Sequence, residues 1–248
     1  MKIISLARAS CLALVLCLPS SMLATVVEKK SFADLVRQAD MIAIGQVMTV
    51  ESHPTRDQQY AYTYVIVGRL EILKGTYRQR KITLRMDGGW FGNDQLLSVH
   101  GIPEFQPGEK VVLFIQGNGQ HMCPLVGWEQ GLLRVVRDQQ SGQEVLKTSA
   151  GLKIHTIEKS EFVIASSPEA IAAEASAGIP DYGQAQDPKS QAGIQSNAIL
   201  TLENLKKEVT AVLAKVDPKT IPRVEVKSAD LMLDSPGLQT AKPYQRED

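Results

Sequence analysis

The sequence has no excess of either charge, little cysteine, few aromatic residues and no apolar run of membrane-spanning length. Its 248 residues carry 27 basic and 27 acidic side chains, a balance that leaves no electrostatic footprint for nucleic acid or an anionic membrane. Aromatic residues are 5% of the chain, with two tryptophans, Trp90 and Trp128, so recognition through large rings can rest on few positions. The apolar stretch over residues 11–18 falls short of the roughly 20 residues a bilayer requires, and no transmembrane anchor is expected. No HExxH, GxSxG, P-loop or dinucleotide fingerprint is present. His53, His100, His121 and His155 stand far apart, without metal-ligand spacing. These absences remove the local signatures of zinc hydrolases, serine hydrolases and nucleotide-dependent enzymes, and no cofactor is implied. A hydrolase site gathered from distant residues stays open, because such sites are defined by geometry.

What is present begins with an N-terminal address. Lys2 and Arg8 flank the start of the apolar run, and Pro19, Ser20 and Ser21 lead to Ala24, the order of a cleavable secretory signal peptide over residues 1–24. Cleavage after Ala24, with Ser21 a competing position, would leave about 224 residues, 25 of them basic against 27 acidic. Neither Cys11 nor Cys17 follows the pattern of a lipidation site. Export to a periplasmic or extracellular setting would leave Cys123 as the sole cysteine. The domain would then be disulfide-free and held by its core.

Residues 25–160 read as one mainly β domain. A short helix is expected near 31–40, where Ser31 can cap and Phe32, Leu35 and Val36 form an apolar stripe. A strand over 41–50 follows, and Gly45 between Ile44 and Val47 marks a bulge or sharp bend. The run over 60–73 alternates, with Tyr60, Tyr62, Tyr64, Ile66, Gly68, Leu70 and Ile72 on one face and Thr63, Val65, Val67, Arg69 and Glu71 on the other. It pairs as a hairpin with 81–86, whose Ile82, Leu84 and Met86 point inward. After a Gly-rich loop around Trp90, residues 111–115 read as a buried strand. Residues 132–137, 144–148 and 152–157 bring the count to about seven short strands. That spacing suits an OB-like closed or partly open β-barrel.

Beyond residue 160 the pattern changes. A short Ala-rich helix is expected over 168–177, within a segment spanning 161–177. A flexible polar linker follows over 178–197, then an amphipathic helix over 198–216 and a disordered tail over 217–248.

Each candidate site residue has a structural alternative. Tyr60, Tyr62 and Tyr64 could form a stacking platform, although tyrosines at period two also suit an ordinary strand. Trp90, in GGWFG, and Trp128, in VGWEQG, are recognition anchors if exposed and plugs if packed. Leu205, Val209 and Val212 belong to a helical stripe that could enter a partner's groove or pack on its own domain. His121, Met122 and Cys123 are three adjacent soft or borderline ligands, of which His121 and Cys123 could handle a metal such as copper, although adjacent residues on a strand point to opposite faces and an isolated cysteine usually packs as a small hydrophobe.

Three segments, FADLVRQADMIAIGQV, TYVIVGRLEILKG and FQPGEKVVLFI, resemble the OB-like barrel of netrin-type modules and tissue inhibitors of metalloproteinases. The likeness covers roughly residues 31–137. A closer resemblance is to uncharacterised exported bacterial proteins that share the AD-x-I-x-x-G-x-V opening, the LKG strand end and the GE turn. They also share the PLVGWEQGLLRV segment and a C-terminal helix after a polar linker. The resemblance implies the fold alone, because the inhibitors' N-terminal cysteine has no counterpart at Thr25, Val26 or Val27. The resulting expectation is an exported protein-binding or accessory module without catalysis, with a protein partner and no nucleic acid. The alternatives are the dispersed hydrolase and the metal handler.

Overall fold

The computed structural model describes residues 28–55, 57, 59–91, 95–164, 199–216 and 226–229. The expected signal peptide over 1–24, the helix over 168–177 and the linker over 178–197 lie outside them.

Helix α1 (Phe32–Gln38) starts where its capping signal places it: the Ser31 hydroxyl accepts the Asp34 N–H at 3.1 Å and donates to the Asp34 carboxylate at 2.6 Å. Ten strands follow among the described residues: β1 (Met41–Pro54), β2 (Ala61–Lys74), β3 (Lys81–Asp87), β4 (Gly89–Phe91), β5 (Gln95–Leu97), β6 (Lys110–Ile115), β7 (Leu132–Arg137), β8 (Glu144–Thr148), β9 (Ile154–Glu158) and β10 (Glu161–Ile164). Helix α2 (Leu202–Ala214) comes last. The chain is mainly β, and its centre is a six-stranded antiparallel sheet in the order β3-β2-β1-β6-β7-β8, with two small ribbons, β4-β5 and β9-β10. No ladder closes this sheet among the described residues: it is an open sheet, where a closed or partly open OB-like barrel was expected. The hairpin β9-β10 crosses residue 160 and puts residues 161–164 in strand, ahead of the helix expected over 168–177.

Both faces of the sheet are apolar. One carries Ile42, Ile44, Val112, Phe114 and Leu133, covered by α1 and α2. The other carries Met41, Ala43, Val47, Val65, Val67, Ile82 and Leu84, covered by loop residues such as Phe105, Cys123 and Leu125. The central strand β6 is buried on both sides from Val111 to Ile115, which is why its sequence is a continuous apolar run.

The bend foreseen at Gly45 lies across the β1-β2 ladder. From Ile44 to Gln46 β1 moves two residues, while β2 moves three, from Glu71 to Gly68. The extra residue is accommodated on β2, where Arg69 holds a left-handed φ of 53°. Gly45 permits the close approach, since a Cβ there would meet Val67 Cγ1 at 2.5 Å. The bulge also reverses facing. Leu70 and Ile72 join Val65 and Val67 on one cluster, not the tyrosines as strict alternation predicts.

Chain segments from beyond residue 198 blunt both sheet edges. At β8, the Leu146 N–H bonds Leu200 O at 3.0 Å and Thr201 bridges Val145. At β3, the Thr83 N–H bonds the Ser228 hydroxyl at 2.8 Å, and the Ala229 N–H bonds Thr83 O at 2.9 Å. Residues 226–229 are therefore docked, a local correction to the disorder expected over 217–248.

Candidate functional site

The residues of the LKG and GE motifs meet at structural joints. Lys74 of the LKG motif is buried, and its ammonium donates to the carbonyls of Val36 (2.8 Å), Arg37 (2.8 Å) and Ala39 (2.6 Å), closing the C-terminus of α1. Burial pulls its pKa down, and Asp40 opposes that shift. Gly75 sits where a Cβ would be 2.6 Å from Asp40 O. In the GE turn, the Gly108 N–H bonds Val47 O while Glu109 O accepts the Val47 N–H, each at 2.8 Å. The Glu109 carboxylate pairs with Arg134, which also donates to Ser149 O at 3.0 Å and Glu104 O at 2.8 Å.

The three tyrosines share a face of the sheet but are engaged by their neighbours. The Tyr60 hydroxyl donates to Asp87 at 3.0 Å, and burial followed by Asp87 raises its pKa. Tyr60 and Tyr62 meet edge to face at 5.4 Å. Arg85 lies 4.7 Å above the Tyr62 ring, held by Gly119 O at 2.7 Å. Tyr64 is 1% exposed and packs against His53, whose Nε2 is 3.3 Å from Glu51. An open stacking platform is not what these contacts make: one face of Tyr62 is covered and Tyr64 is buried.

The remaining candidates separate in the same way. Leu205 and Val209 are buried against the sheet, with Val212 partly buried beside them, so α2 turns its apolar stripe inward to its own domain. Trp128 packs on the second core face from a short 3₁₀ turn, Trp128–Gly131, its ring against Gly101. Cys123 is 2% exposed, and burial pushes its pKa up to about 12, which opposes thiolate ligation of a metal. His121 is exposed and lies over Gly117. No cluster of three or more His, Cys, Asp or Glu able to hold a metal occurs among the described residues. His100 opposes the rise in the Glu129 pKa that burial causes, yet no hydrogen bond joins the two among the described residues.

Among the aromatic candidates, Trp90 is the one that stays exposed. Its ribbon, β4-β5, is pressed onto the β1-β2 hairpin by two glycines. Gly88, at φ 93°, gives its N–H to Ala61 O at 2.9 Å and accepts the Thr63 hydroxyl at 2.8 Å. Gly89, at φ 136°, lies where a Cβ would be 2.6 Å from both Ser52 Oγ and Thr63 Oγ1. Trp90 faces Leu96 directly across the ladder, so the two side chains share one side of the ribbon. Trp90 is 42% exposed and Leu96 54%. Leu96 went unseen in the sequence, although Gly92-Asn93 between two short apolar runs is a hairpin signal.

Comparison with known proteins finds no family model, no curated protein and no solved structure that matches the chain.

Proposed function

We propose that this chain is a non-catalytic, exported binding module that engages a protein partner through Trp90 and Leu96. The observation that carries this reading is the exposure of that directly paired apolar couple on a ribbon held by Gly88 and Gly89. A tryptophan presented in this way suits a binding hot spot. Export rests on the order of charges, apolar residues and small residues over 1–24. The order β3-β2-β1-β6-β7 supports taking the sheet as an unclosed OB-like arrangement.

The test is a titration against the partner recovered from the exported fraction of the source cells. Trp90→Ala weakens that affinity by about 2 kcal/mol, some thirtyfold. Trp90 is also partly packed on its ribbon, so the thermal midpoint of the variant is measured alongside and affinity is compared between folded chains. Unchanged affinity would overturn the assignment to this ribbon.

A further inference from the structure

We propose that the outer edge of β3 is a peptide-binding edge, and that residues 226–229 are its built-in ligand. This goes beyond the Trp90 reading and stands on separate residues. A sheet edge offers unpaired N–H and C=O groups to any extended chain, and edge addition is a general mode of peptide recognition. Here the edge is met by a segment more than 140 residues away in sequence, since Thr83 and Ser228 are 145 apart.

The contacts have the elements of such a site. Val226 is 6% exposed and enters the apolar cluster that includes Ile82 and Leu84, so one side chain of the segment is anchored in the core. Two residues on, the Ser228 hydroxyl accepts the Thr83 N–H at 2.8 Å, and the Ala229 N–H returns a bond to Thr83 O at 2.9 Å. Asn118 clamps the segment from outside, its Nδ2 donating to Lys227 O at 2.8 Å and to Thr83 O at 2.9 Å. The same Asn118 takes the Arg85 N–H at 3.2 Å, and Met122 O takes the Asp87 N–H at 2.8 Å, so a fixed loop lines the edge further along. The ligand class follows from these contacts: an extended peptide with a small branched apolar residue and a hydroxyl residue two positions later. In the intact chain the segment belongs to the same molecule and competes intramolecularly with any added peptide for the edge.

The probe is a fluorescent peptide of residues 221–231, IPRVEVKSADL, titrated by anisotropy into the full-length chain. Ser228→Ala/Ala229→Pro removes the hydroxyl acceptor and the N–H donor and so unseats the segment. That variant binds the peptide at least about tenfold more tightly than the native chain. Adding Asn118→Ala weakens the binding again, and a peptide with Asp in place of Val226 does not bind. A folded double variant that ignores the peptide, or equal binding to both chains, overturns the proposal. If the double variant does not fold, Ser228→Ala alone answers by hydrogen exchange. The Thr83 amide then loses protection and added native peptide restores it, whereas unchanged Thr83 exchange overturns the proposal.

Discussion

Lys74 and Cys123 show what single buried groups do here. The Lys74 ammonium serves three helix-end carbonyls, so Lys74→Met leaves those acceptors without their donor inside the fold. The expected cost is about 3 kcal/mol, read by urea unfolding. Its role was not legible in the sequence: LKG stood out as a pattern, but the carbonyls it serves lie 35 to 38 positions earlier. For Cys123 the pH dependence has a definite sign. The folded thiol titrates near 12, above its ordinary value of 9.0, so the folded state holds the proton more tightly than the unfolded one. Its contribution to stability is complete below about pH 9 and is lost as pH climbs toward 12. Comparing native chain with Cys123→Ala, the native chain should lose more stability across that window. At pH 8 an alkylating reagent should reach the thiol only through unfolding.

Elements were the most legible level, because their signals are local. Period-two alternation found β3, a continuous apolar run found β6, and the Ser31 cap found α1. The facing of β2 was misread because Arg69, a non-glycine in the left-handed region, carries no sequence mark of a bulge. The stripe of α2 was visible too, but periodicity says which side of a helix is apolar and not what covers it. The structure covers it with the sheet. Leu205→Ala should therefore destabilise the whole domain by about 3 kcal/mol in chemical denaturation, where a helix free to meet a partner would leave domain stability unchanged.

At the scale of the molecule, the C-terminal part completes the sheet. Leu200 and Thr201 close the β8 edge, α2 covers one face, and Ser228 with Ala229 closes the β3 edge. The docking of Ser228 and Ala229 could not be seen in the sequence, since composition marks residues 217–248 as polar and Pro-rich while docking depends on a few long-range bonds. The candidate site was half legible. GGWFG marked Trp90, and the pairing that adds Leu96 required the ribbon. The most direct measurement is capture of the partner from the exported fraction by three full-length chains side by side: native, Trp90→Ala and Tyr62→Ala. Recovery lost with Trp90→Ala and kept with Tyr62→Ala is the predicted result. Equal recovery by the native and Trp90→Ala chains, with loss confined to Tyr62→Ala, would contradict the account.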